Sequence, residues 1–244
     1  MVKLIICDWN RTLFEDYFEE TFCASVFKFV GAKEAKKVNI PEIISLITLA
    51  FKSKQLVGCA KQGKVIDTIT ELIELLNKGL FSKITKGDLT KLLETYVKAG
   101  KAKLDLRILE PLRSLKERKN VRLGIISSGY YWGIKQKLEK NGFLFDFIIA
   151  NDFLPVVPQG VRFEFKISSN KADILKQIIR EEKVGREDVI YIGDDSRDEN
   201  CFREVGFPVV SFLAVGKDKQ RFKNTYNAFV PLDQNGFEKY LDRL

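Results

Sequence analysis

Short apolar, largely β-branched runs recur along the chain at Leu4–Cys7, Leu123–Ile126, Phe145–Ala150, Val189–Ile192 and Val209–Phe212. They read as continuous apolar stretches, the pattern of strands buried on both faces. Between them the period changes to that of a helix. After Asn170, for example, Ile174, Leu175, Ile178 and Ile179 fall on one side. Strands alternating with amphipathic helices predict an α/β fold, a doubly wound, Rossmann-like parallel sheet with helices on both faces.

Residues 15–103 break that alternation. They carry no strand pattern and read as about four amphipathic helices, one of them presenting Phe18, Phe22, Val26 and Phe29 at helical spacing. Glycines at 63, 79 and 87 separate the others. This predicts a helical cap domain over 15–103, inserted into a core formed by 1–14 and 104–244. A smaller insert follows Ala150. Apolar and charged residues alternate from Val161 to Lys166 after a Pro158-Gln159-Gly160 turn signal, which predicts a small β-hairpin with Val161, Phe163 and Phe165 facing inward.

Composition narrows the chemistry. The 244 residues contain no histidine, which excludes Ser-His-Asp and Cys-His catalysis and most transition-metal sites. Cys7, Cys23, Cys59 and Cys201 are too widely spaced for a zinc site or a disulfide framework, and none has an arginine six residues later as a cysteine-phosphatase loop requires. Hydrolysis would therefore run on carboxylates, lysines and a hard metal ion. The net charge of +8 suits an anionic substrate. The lysines are scattered among glutamates rather than gathered in a stripe, so no nucleic-acid partner is expected. No apolar run is long enough to cross a bilayer, and the N-terminus lacks the pattern of a signal peptide, so no membrane association and a cytoplasmic location are expected.

Ligands of open α/β sheets bind beyond the carboxyl ends of the strands. There the sequence places Asp8-Trp9-Asn10-Arg11-Thr12, Ser127-Ser128-Gly129, Ser168-Ser169-Asn170-Lys171 at the start of a helix, and Gly193-Asp194-Asp195-Ser196-Arg197-Asp198. Each motif alone has an ordinary reading as a turn, a cap or a solvated loop. Four of them on one sheet edge, in this order, are another matter. The ordered set resembles the haloacid dehalogenase superfamily, most closely its phosphoserine phosphatase branch, over residues 1–14 and about 104–215.

The resemblance implies a phosphatase acting on a small phosphorylated metabolite through an aspartyl-phosphate at Asp8, with Mg²⁺ as cofactor. In that reading Asp8 is the nucleophile and a metal ligand, joined by Asp194 and by the backbone carbonyl of Asn10. Asp198 helps to hold the metal's water shell, with Asp195 as a lesser helper. Ser127, Ser128, Gly129 and Thr12 bind or support the phosphate, and Lys171 offsets the negative charge of nucleophile and phosphoryl group. Phosphoryl transfer asks mainly for positioning and charge neutralisation of this kind.

Two residues depart from the family pattern. Asn10 stands where an aspartate usually protonates the leaving group, help worth roughly 10²–10⁴-fold. Arg11 stands where a small residue is usual, and either touches the phosphate or points outward. Two other functions therefore stay open: a phosphate-binding regulatory protein with little or no turnover, and a carbon–phosphorus hydrolase resembling phosphonoacetaldehyde hydrolase, which would need a cap lysine. Tyr130, Tyr131 and Trp132 either pack at a helix start or stack on a substrate.

Overall fold

The computed structural model describes residues 2–15, 103–155, 161–164, 166–167 and 170–244, with backbone alone at 153–155 and 161–163. The expected cap lies outside the described residues except at its two ends, as do Ser168, Ser169 and Phe165. The chain divides into two compact units, one of Met1–Phe18, Lys101–Ala150 and Lys166–Leu244, the other of Glu19–Gly100 and Asn151–Phe165.

In chain order the described elements are β1 (Leu4–Cys7), α1 (Leu106–Arg118), β2 (Arg122–Tyr130), α2 (Tyr131–Lys140), β3 (Phe147–Pro155), β4 (Val161–Glu164), α3 (Lys171–Glu181), β5 (Val189–Gly193), α4 (Glu199–Arg203), β6 (Phe207–Val210), α5 (Gly216–Tyr226) and α6 (Gln234–Arg243). The sheet of the first unit runs β3-β2-β1-β5-β6, so the first strand of the chain lies at its centre. β1 is parallel to both neighbours, Cys7 standing opposite Ile125 on one side and Ile192 on the other. β3 continues past Ala150 and pairs antiparallel with β4, Asp152 opposite Glu164. The expected hairpin is thus present, while the directions of Val161, Phe163 and Phe165 lie outside the described side chains.

Alternate residues of the strands feed two cores, as the period of two requires. Ile5, Cys7, Leu123, Ile125, Ile190 and Ile192 pack under α1, α2 and α6. Leu4, Ile6, Ile126, Val189, Tyr191 and Val210 pack under α3, α4 and α5. The helical face read from the sequence is seen in α3, where Leu175 and Ile178 are buried and Ile174 and Ile179 pack half-buried beside them. Each fully buried Leu or Ile contributes about 1.5–3 kcal/mol, so this double burial holds β1 and the residues that follow it in place.

The strand boundaries differ from expectation: β3 begins at Phe147 rather than Phe145, and β6 spans Phe207–Val210 rather than Val209–Phe212. β2 runs on through Ser127-Ser128-Gly129-Tyr130 and β3 through Asn151 to Pro155. An apolar run reports burial, whereas the ladder continues as long as backbone groups find partners. Gly124 allows a close approach on β2: a Cβ there would come 2.1 Å from the ring of Phe147.

Candidate active site

β1 delivers Asp8 to the carboxyl edge, and the Asp8 N–H still donates to the Ile192 carbonyl at 2.9 Å. The chain then folds back sharply. The N–H groups of Thr12, Leu13 and Phe14 all converge on the Trp9 carbonyl, and the Arg11 N–H donates to the Phe14 carbonyl at 2.7 Å. Trp9 stacks on Phe14 beneath the turn, ring centroids 5.1 Å apart. Arg11 adopts a left-handed conformation, φ 55°, at a cost of roughly 1–2 kcal/mol for a residue with a side chain. Ser211, just past β6, donates its hydroxyl to the Arg11 carbonyl at 2.9 Å, and the Arg11 guanidinium donates to the Leu213 carbonyl. Arg11 therefore braces the loop against the end of β6.

Below this loop three carboxylates meet. One oxygen from each of Asp8, Asp194 and Asp198 lies within 4.8 Å of the others, and all three residues are buried. Lys171, the first residue of α3, reaches between them, its Nζ 2.9 Å from Asp8 Oδ1 and 2.8 Å from Asp198 Oδ1. Thr12 Oγ1 lies 3.4 Å from Asp194 Oδ1. Asp198 Oδ2 accepts the N–H groups of Asp194 at 2.9 Å and Asp195 at 3.4 Å. That carboxylate sits directly over Gly193, where an added Cβ would come 2.5 Å from Asp198 Cγ, so a glycine is needed.

Burial and charge decide how these groups ionise. Burial raises the Asp8 carboxyl to about 6, the ammonium of Lys171 working against the shift and the Asp198 charge with it. Asp194 is pushed well above the usual carboxylate range by burial and then by the charges of Asp195, Asp198 and Asp8. For Lys171 burial acts downward, but the charges of Asp198 and Asp8 prevail and hold it protonated. Three carboxylates with one ion-paired ammonium leave two negative charges in excess when all are ionised. Asp8 Oδ1 is buried and, apart from the ion pair with Lys171, has no hydrogen-bond donor. An all-oxygen donor set with that excess charge fits a hard divalent cation such as Mg²⁺.

The phosphate-binding candidates lie on the neighbouring strand. Register puts Ser127 two residues beyond the partner of Cys7, buried, its Oγ accepting the Gly129 N–H at 3.0 Å. Ser128 is half-buried. Asn10 is buried within the turn, at the bridge to Phe14. Asp195 caps the short 3₁₀ turn at 196–198 and pairs with Arg197 at 2.7 Å. Burial opposes its ionisation, but that arginine prevails and keeps it below the usual range. Tyr130 is fully buried and Tyr131 packs half-buried against the same core, in line with packing. Trp132 is 42% exposed with Lys135 Nζ 5.2 Å from its ring centre. Two participants carried no recognisable motif: Ser211, which ties down the loop, and Tyr191, whose hydroxyl donates to Asp198 Oδ1 at 2.8 Å.

Comparison with known proteins gives this arrangement its family. A model described as haloacid dehalogenase-like hydrolase matches residues 39–212, well over half of the chain, including Ser127, Lys171, Asp194 and Asp198. The chain belongs to that family. It is similar in fold to a substrate-bound phosphoserine phosphatase complex, at 19% identity and TM-score 0.64 over 98% of each chain. It is also similar to a phospho-aspartyl intermediate analogue of phosphoserine phosphatase, at 20% identity and TM-score 0.59 over 94% of this chain and 92% of the other. A protein of unknown function from Bordetella pertussis Tohama I shares the fold at 11% identity and TM-score 0.65, over 94% of this chain and 98% of that one. No curated protein matches the chain. Among the described residues no helix is long and apolar enough to cross a membrane.

Proposed function

We propose that the protein is a Mg²⁺-dependent phosphatase acting on a small phosphate ester, with Asp8 as the nucleophile. The observation that carries this is the buried Asp8 carboxylate held 2.9 Å from Lys171 and within 4.8 Å of Asp194 and Asp198. A carboxylate so placed attacks phosphorus, forming an Asp8–O–P bond as the ester P–O bond breaks. The alcohol leaves with the bonding electron pair and takes up a proton, and water then cleaves the acyl phosphate to return Asp8 and inorganic phosphate. Lys171 offsets charge on the nucleophile and the phosphoryl oxygens, and Ser127 with the Gly129 N–H lies on the strand edge where those oxygens would sit. Mg²⁺, held by Asp8, Asp194, the Asn10 carbonyl and, through its water shell, Asp198, would supply further neutralisation of phosphoryl charge. Two proteins of similar fold, a substrate-bound phosphoserine phosphatase complex and a phospho-aspartyl intermediate analogue of phosphoserine phosphatase, support this chemistry by analogy.

The test is release of p-nitrophenol from p-nitrophenyl phosphate, with Mg²⁺ or with EDTA, for wild type and Asp8→Ala. Phenolate leaves with little acid help, so Asn10 does not mask the activity. Turnover that requires both Mg²⁺ and Asp8 is expected, and turnover retained by Asp8→Ala would sink the proposal.

Asn10 favours one second reading, a phosphate-binding regulator that turns over slowly. An amide cannot give a proton to an alkyl leaving group, so Asn10→Asp should be markedly faster on alkyl phosphates, by roughly 10²-fold or more. Beryllofluoride binding by wild type without turnover of any ester would favour the regulator.

A further inference from the structure

Tyr191 lies in the middle of β5 and is fully buried. Its ring meets Phe202 edge-on, centroids 5.8 Å apart, and Phe202 in turn packs against Phe222 at 5.2 Å. Phenylalanine would fill that space equally well without a hydroxyl to desolvate, so the hydroxyl calls for a separate explanation. It is aimed at the site: it donates to Asp198 Oδ1 at 2.8 Å, the same oxygen that accepts Lys171 Nζ at 2.8 Å. The Cys201 thiol is its other polar neighbour. With the two backbone N–H groups on Oδ2, four donors converge on the Asp198 carboxylate, which therefore cannot swivel.

Resting on the phosphohydrolase reading, we infer that Tyr191 is a positioning residue: its hydroxyl locks Asp198, and Asp198 then holds Lys171 against Asp8. The chain of contacts runs from Tyr191 to Asp198 to Lys171 to Asp8 with no link longer than 2.9 Å. Without that donor Asp198 and Lys171 can shift together. A displacement on the order of 1 Å in such a constellation costs up to about 10²-fold in rate.

The experiment compares wild type, Tyr191→Phe and Phe222→Leu on p-nitrophenyl phosphate at saturating Mg²⁺, with thermal melts of all three. Tyr191→Phe keeps the ring and should lower kcat about 10- to 100-fold while KM changes little. Phe222→Leu cuts into the same aromatic cluster without touching the hydroxyl, and should lower Tm while kcat is retained. A Tyr191→Phe protein with wild-type kcat overturns the inference, as does an equal loss of kcat in Phe222→Leu. Failure of Tyr191→Phe to fold assigns the hydroxyl to stability and also overturns it. Wild type without turnover removes the phosphohydrolase reading and the inference together, whereas active wild type with unchanged Tyr191→Phe removes the inference alone.

Discussion

The two edges of the parallel sheet handle charge in opposite ways. At the carboxyl edge Asp8, Asp194 and Asp198 are buried together, and the groups around them leave negative charge in excess. At the amino edge carboxylates are paired with cations near solvent: Lys3 with Asp188, Arg122 with Glu182, and Lys116 with Asp146. Asp194 and Asp146 show the contrast in a single residue type. Burial and three neighbouring carboxylates drive Asp194 upward. For Asp146 the smaller burial opposes ionisation, but Lys116 and the Leu123 N–H prevail and draw it downward. The amino edge also holds a pocket of about 340 Å³ lined by Leu109, Leu112, Leu123, Phe143 and Phe145 together with the charged residues Arg113, Lys116 and Glu117. One edge is arranged for stability, and the other tolerates an excess of negative charge that a bound cation would relieve.

The strongest way to break this contrast is to remove the one ammonium from the crowded edge. Lys171→Met should cost about 3–5 kcal/mol in denaturant unfolding, because it strands buried carboxylates. Adding Asp8→Asn to it should recover part of that loss, and a double variant no more stable than the single one would refute the excess-charge account. A smaller effect concerns pH. Asp8 titrates higher in the folded chain than unfolded, so the metal-free protein binds its proton more tightly and loses stability as pH rises from about 4 through about 6. Mg²⁺ competes for the ionised form, and the rise in Tm on adding it should therefore be larger at pH 7 than at pH 5. An equal rise at both would place the ion elsewhere. The least effect is expected at the amino edge. Arg122→Ala removes an ion pair that is half open to solvent and should change stability by about 1 kcal/mol or less, with p-nitrophenyl phosphate turnover unaltered.

Much of this was legible in the order of residues. The five core strands are apolar runs because both faces are covered, and the two cores either side of the sheet bear that out. Asp8, Lys171, Asp194 and Asp198 could be placed on one edge because each follows a strand or opens a helix, and the structure brings them together. Less could be said of the support around them. Tyr191 reads as one more large residue in a buried strand, and nothing local reveals that its hydroxyl meets an aspartate on the next turn. The Ser211–Arg11 contact joins residues 200 positions apart, beyond the reach of any periodicity. The direction of the Arg11 side chain is set by the Leu213 carbonyl, 202 positions away, which is why its sequence position alone left two outcomes open.

The central place of β1 has a consequence for how the protein is made. Leu4–Cys7 is synthesised well before its partners on either side, which begin at Arg122 and Val189, and the turn after Asp8 is fastened by Ser211. Until most of the chain has left the ribosome, the first strand is an unpaired apolar segment, exposed to chaperones or to aggregation. Closing loops of that length before any contact repays them is slow. A chain truncated before Ser211 would therefore carry every acidic residue of the site and still lack the hydroxyl that fastens the turn after Asp8.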